Sequence, residues 1–246
     1  MVKLLVGVCI VRVIFNRELE DLLYVFKDRF DAGIKLALWL KSLGVSADVV
    51  YAIPAGGVPV GYVLARNLNL LFDILVCRKL LIPWNRESGF GAVAPDGTHF
   101  YDAKLVLYLA LTPEEIKNSI EEQLAEIRRR LQVYRCGEMY THLNGREVLV
   151  VDDGIAAGFT MIAATRFLRK IGASKVIIAV PTCHTESAYR VAKEASEIYC
   201  LNPRSGALYA VADAYIEWRD LEDRDVLEVL REAKREKLLS FKTDCI

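Results

Sequence analysis

Val148-Leu149-Val150-Val151-Asp152-Asp153-Gly154-Ile155-Ala156-Ala157-Gly158-Phe159-Thr160 is an apolar run that ends in two carboxylates and passes through a small-residue turn to a hydroxyl. Four consecutive apolar residues, three of them valine, predict a strand buried on both faces, as in a parallel sheet. The segment from Thr160 to Gly172 then predicts a helix. In open parallel sheets, ligands sit beyond the carboxyl ends of the strands, where loops and helix amino termini converge. Backbone N–H groups at a helix start bind phosphate, and small residues let the backbone come close. Carboxylates at the same place accept hydrogen bonds from vicinal sugar hydroxyls, so the ligand they imply carries both phosphate and hydroxyls, or a divalent cation between the two. Two acids that merely cap the following turn are the plainer alternative.

Outward from this stretch, strands and helices alternate. A helix over 30–43 stops at Gly44, a strand follows at 48–53, a helix runs from Val58 to Asn67 and a buried strand from Leu70 to Cys77. Downstream, Lys175 to Val180 and Glu197 to Leu201 predict strands, Glu186 to Ala195 a helix, and Leu221 to Leu239 a charged amphipathic helix. At the amino end, the β-branched residues of Val2 to Val13 predict a strand. The expected fold class is α/β, a mainly parallel sheet with helices on both faces.

We expect one domain over 1–246, because 246 residues fit a single core with embellishments. Its expected additions are a mobile loop at 81–103, a helical insertion at 112–135 and a C-terminal extension over 213–246. The loop is rich in Gly, Pro, Asn and Asp, and long irregular segments are often functional lids. The insertion opens with Thr112, Pro113 and Glu115, which form a cap, a first-turn proline and a capping-box acid. Arg128, Arg129 and Arg130 near its end read as a solvated helix terminus that matches the dipole.

Composition excludes several classes. Lys plus Arg and Asp plus Glu both total 32, which leaves no net field to steer the chain onto nucleic acid or anionic lipid. Apolar runs stay far below the roughly 20 residues a bilayer core needs, so no membrane span and a cytoplasmic location are expected. The six cysteines stand singly, without the close pairs of zinc or redox sites, and read as core-filling thiols.

A second loop, Ile53-Pro54-Ala55-Gly56-Gly57-Val58-Pro59, also joins a buried strand to a helix start, and its paired glycines permit close approach to an anion. Taken together, the two loops resemble those of type I phosphoribosyltransferases. The 152–160 stretch is similar to their phosphoribosyl diphosphate (PRPP) signature, and the earlier loop stands at the chain position where they hold pyrophosphate. Agreement with a bacterial and archaeal subgroup extends over about residues 26–218. It includes Phe26 to Gly33, Arg78-Lys79, Pro83 to Val93 and the aromatic end near Tyr215 and Trp218.

The resemblance implies an enzyme that binds PRPP with magnesium, transfers the phosphoribosyl group to a nitrogenous base or amine, and acts as a homodimer. By it, Asp152 and Asp153 serve catalysis by orienting the ribose and face the metal, directly or through ribose hydroxyls or water. Gly154, Ile155, Ala156, Ala157, Gly158, Phe159 and Thr160 would hold the 5-phosphate. Ala55, Gly56, Gly57, Arg78 and Lys79 would take pyrophosphate, and a non-proline cis peptide is expected at Pro54–Ala55. Tyr209, Tyr215 and Trp218 are candidates for a hood over a planar acceptor.

This chain departs from the subgroup at Ala55, where arginine is usual, at Ala157, where a hydroxyl is usual, and at Phe159, where a small residue is usual. Ala156 replaces the aspartate that serves the purine in hypoxanthine-type enzymes, which disfavours that activity. Ala55 also supports an alternative, a non-catalytic regulatory protein that binds a nucleoside monophosphate or PRPP with a decayed pyrophosphate site. Phospho-receiver domains also end a strand in paired acids, but they need a later aspartate where this chain has Val180 and Pro181.

Overall fold

The computed structural model describes residues 2–6, 9–242 and 246, with the backbone alone for 2–6 and 9–11. Strands β1 (Val2–Val6) and β2 (Cys9–Phe15) precede helix α1 (Arg29–Ser42), strand β3 (Val49–Ala52), helix α2 (Gly57–Leu68) and strand β4 (Leu71–Ile74). Then come β5 (Arg78–Ile82), β6 (Asn85–Val93), β7 (His99–Tyr101), α3 (Ala103–Tyr108) and α4 (Pro113–Arg135). The second half holds β8 (Glu147–Val151), β9 (Gly154–Ile155), α5 (Phe159–Lys170), β10 (Lys175–His184), α6 (Thr185–Val191), β11 (Glu197–Arg204) and α7 (Asp223–Arg235).

The main sheet runs in the order β1-β2-β11-β10-β8-β3-β4, and β9 adds to β10. Every pairing from β2 to β4 is parallel, and β1 joins β2 antiparallel. Alternate residues of each parallel strand enter opposite cores, as the pleat requires. Val50, Leu149 and Ile177 point into the cluster that also holds α1, α2 and α7, while Val49, Val148 and Ile178 point into the one that holds α5 and α6. Both faces are therefore dry, which is why these strands read as continuous apolar runs rather than alternating ones. The α/β class, mainly parallel with helices on both faces, is as expected.

The structure differs from the sequence reading in several strands. The stretch 2–13 is not one strand but parts of two, β1 and β2. The expected strand 70–77 ends at Ile74, so Arg78 and Lys79 do not close a strand of the main sheet; they open β5. The stretch 81–103 contains β6 and β7, which join β5 in a separate antiparallel sheet.

Glycine masked these strands. A methyl on Gly91 would stand 2.3 Å from the Phe100 carbonyl oxygen, so β7 approaches too closely for any side chain there. The β5–β6 register also shifts at Leu80–Ile82, which breaks the alternation. Phe90, Ala92 and Val93 are buried, whereas the turn at 83–84 and the first residues of β6, 85–88, are exposed.

Helix α4 has the expected capping box between Thr112 and Glu115. Its arginine run is not simply solvated, because Arg129 pairs with Glu126 and with Asp223, the first residue of α7, while Arg130 pairs with Glu126. Cys77, Cys183 and Cys200 are buried free thiols, whereas Cys136 is disulfide-bonded, which the reading of core-filling thiols did not anticipate. Cys245 and the side chain of Cys9 lie outside the described residues. Among the described residues, no helix is long and apolar enough to cross a membrane.

Candidate functional site

The site forms where β3 and β8, parallel hydrogen-bonded neighbours, release their chains at the same carboxyl end of the sheet. The loop after β8 carries Asp152 and Asp153; the loop after β3 carries Pro54 to Gly56, and its Pro54–Ala55 peptide is cis. These loops pack directly on each other. A methyl on Gly57 would stand 2.8 Å from the Val151 carbonyl oxygen and from Asp152 Cα, and one on Gly56 would fall 1.9 Å from Asp153 Oδ2. The paired glycines therefore make room for the acids.

The Asp152–Thr160 loop, Lys79, and Glu87 to Gly89 of β6 line a cavity of about 370 Å³. A second cavity of about 290 Å³ shares Lys79, Glu87, Asp152 and Thr160 and adds Pro54 and Arg78. The structure thus brings 152–160 together with Arg78 and Lys79. Ala55, Gly56 and Gly57 do not line either space; they stand behind the carboxylates.

The phosphate-loop candidate is shaped by Gly158, which adopts φ +82° as the cap of α5 and where a Cβ would meet Val191 Cγ2 at 2.6 Å. Both facts require glycine there. Helix α5 has no side-chain cap and no acid in its first turn, so its amino end keeps its positive dipole for an anion. Ala156 and Ala157 are exposed. Phe159 is 6% exposed and packs with Ala92, Ala163 and Phe100 beneath the antiparallel sheet, with ring centroids 5.7 Å apart for Phe100. Its bulk is therefore accommodated largely outside the loop.

The two acids have different surroundings. Burial, together with the negative charge of Asp153, raises the Asp152 carboxyl well above the usual carboxylate range, against the opposing pull of the Asp153 amide and of Lys79. Asp153 has a direct counter-ion instead: Arg29 Nε donates to its Oδ2 at 2.9 Å. Across the site, Arg78 is lowered by burial and by the nearby Arg130, and its Nε donates to Gln123 Oε1 at 3.2 Å. As neighbours on a strand, Arg78 and Lys79 face opposite ways, so Lys79 meets both cavities while Arg78 meets only the second.

No local pattern marks Arg29 or Arg190 as residues of this site. A cation in the first turn of α1 opposes the helix dipole, and that is the available hint for Arg29. Arg190, whose Nη1 donates to the Ala157 carbonyl at 3.4 Å, lies on a short helix with no distinguishing pattern.

The proposed aromatic hood takes another form. Tyr215 is fully buried and donates its hydroxyl to the Asp153 carbonyl at 2.6 Å, Trp218 stacks on Arg29, and Tyr209 lies against His184 and Arg204.

The residues present do not make a metal cage. Among the described residues, no three His, Cys, Asp or Glu side chains converge as ligands, and Asp153 is paired with Arg29. The acids alone therefore do not fit a magnesium ion.

Residues 26–213 match the model of the phosphoribosyl transferase domain. A Mycobacterium tuberculosis protein named “Putative phosphoribosyl transferase” is 37% identical over 212 residues, 86% of this chain and 48% of that protein. The chain thus spans about half the length of this curated relative. A Thermus thermophilus protein of known crystal structure is 32% identical, and the match covers 84% of this chain and 98% of that one with a TM-score of 0.68. A segment of 37 residues is 57% identical to ribose-phosphate pyrophosphokinase of Pyrococcus furiosus, 15% of this chain and 13% of that enzyme.

Proposed function

The chain belongs to the phosphoribosyl transferase domain family, and from that membership we propose that it binds PRPP and transfers its phosphoribosyl group to a nitrogen nucleophile, releasing pyrophosphate. One observation carries the reading. The two-carboxylate strand end, the uncapped start of α5 and the cations of β5 share one pair of contiguous cavities. A sugar flanked by a monophosphate and a diphosphate is the ligand that uses all three.

In this reading Asp152 and Asp153 orient the ribose hydroxyls. Backbone amides between Gly154 and Thr160, with the Thr160 hydroxyl, hold the 5-phosphate. Lys79 and Arg78 meet the diphosphate, where negative charge grows as the C1–oxygen bond breaks and the nitrogen–C1 bond forms. The proton shed by the attacking nitrogen leaves to solvent or to the released diphosphate. The exposed tip of the β5–β6 hairpin, whose Arg86, Glu87 and Ser88 line the cavities, is suited to limiting water. Because the acids do not fit a magnesium ion by themselves, we propose that magnesium arrives on the oxygens of the diphosphate. The exposed stripe Phe30, Ile34 and Leu38 on α1 supports the homodimer as part of the proposal.

Release of pyrophosphate from PRPP with magnesium, measured against a panel of free bases and amines, tests the reading. Turnover with any acceptor is the expected result. Ala55 favours the second reading, a regulatory binding protein, because the loop after β3 offers no cation. Tight binding of a nucleoside monophosphate, with negligible PRPP binding and no release across the panel, would select that reading instead.

A further inference from the structure

The guanidinium of Arg29 is held through two of its nitrogens and one face. Its Nε meets Asp153 Oδ2 at 2.9 Å, with side chains 8% and 14% exposed, and its Nη1 donates to the Arg219 carbonyl at 2.9 Å. Its centre lies 3.9 Å from the Trp218 ring centroid and 5.9 Å from that of Tyr215. Tyr215 in turn donates its hydroxyl to the Asp153 carbonyl at 2.6 Å, so the same short segment grips both the main chain of Asp153 and, through Arg29, its side chain. Burying a cation is unfavourable unless it is paired and hydrogen-bonded, and Arg29 is 7% exposed. One edge of the planar guanidinium meets the carboxylate while Nη1 takes the Arg219 carbonyl, a fixed geometry between side chain and backbone that a lysine ammonium does not reproduce.

We infer that Arg29 is a positioning residue for Asp153, with Trp218 and the Arg219 carbonyl as its backstop. It pins Oδ2 and leaves the remaining carboxylate oxygen to receive one hydroxyl of the sugar. This rests on the ribose phosphate reading of the site and goes beyond it, since segment 215–219 then sets sugar affinity without lining either cavity.

Calorimetric titration of the full chain with ribose 5-phosphate tests the inference. Arg29→Met should weaken binding by about 10- to 100-fold, as expected for a lost charge-assisted contact, and Arg29→Lys should recover part of that loss. In an Asp153→Asn background, Arg29→Met should add less than about twofold, because coupled residues do not act additively. Undiminished affinity in folded Arg29→Met, or an equal loss in the Asp153→Asn background, overturns the inference while leaving the site reading intact. If Arg29→Met does not fold, Trp218→Leu removes the backstop alone, and an affinity equal to the parent's overturns it. Failure of the unaltered protein to bind ribose 5-phosphate at millimolar concentration would overturn the site reading and this inference together.

Discussion

Asp153 and Gly56 are in such close contact that a methyl group on Gly56 would lie 1.9 Å from Oδ2 and 2.4 Å from Cγ of the carboxylate. Two loops about a hundred residues apart in sequence therefore fix each other. The neighbouring glycine differs in kind, because a methyl on Gly57 meets backbone, the Val151 carbonyl and Asp152 Cα, rather than a side-chain end that can turn away.

Gly56→Ala should keep the fold but turn Asp153 away from Arg29, weakening ribose 5-phosphate by about tenfold or more. Gly57→Ala should destabilise the protein itself, by about 1–3 kcal/mol as overpacking does. Thermal unfolding and calorimetry on the two variants separate the effects. Equal melting temperatures with equal affinities would contradict the contact.

Asp152→Asn should stabilise the empty protein while abolishing ribose phosphate binding. The Asp152 carboxyl lies above its ordinary range when folded, so the folded state holds this proton more tightly than the unfolded chain. That contribution is complete below the ordinary carboxylate value of about 4 and is lost as pH rises toward the folded value. The amide escapes this loss. The gain should therefore be absent well below pH 4 and grow as pH rises toward 8, read as a rise in melting temperature relative to the parent. A gain that shrinks as pH rises would refute the burial argument.

Thr160→Val should cost less than either acid. Its hydroxyl is one donor beside several amides at the start of α5, so a loss of about 0.5–1.5 kcal/mol in affinity is expected. Titration with a nucleoside monophosphate at constant salt measures it, and a loss as large as that of the double Asp152→Asn, Asp153→Asn variant would mean that the hydroxyl dominates.

Away from the site, Arg135 and Asp73 form a buried bidentate pair with contacts of 2.9 and 3.1 Å, closed by Ser240 at 3.0 Å and by the Tyr140 and Phe241 rings at 4.1 and 4.8 Å. Asp73→Ala strands the cation and should destabilise by about 3–5 kcal/mol, whereas Asp73→Ala with Arg135→Met should lose less than the sum of the two single changes. Denaturant unfolding of the three variants would read this coupling, and strict additivity would exclude it.

The apolar run Val148–Val151 and its parallel neighbours determined the fold class, because a strand buried on both faces has no polar positions to interrupt its pattern. The same stretch carried Asp152, Asp153 and the turn to Thr160, a local unit of strand, loop and helix start whose chemistry is contained in consecutive residues. Tertiary structure decided what no local pattern encodes. The antiparallel strands over 78–101 depend on Gly91 lying under β7, so a residue that reads as a loop breaker belongs to a sheet. The ion pair of Arg29 with Asp153 spans 124 positions, and its backstop at Trp218 and Arg219 comes from a third part of the chain. Periodicity and capping are properties of neighbours in sequence and can be read there. The burial of a charge, the partner that compensates it and the glycine that makes room for it are properties of neighbours in space.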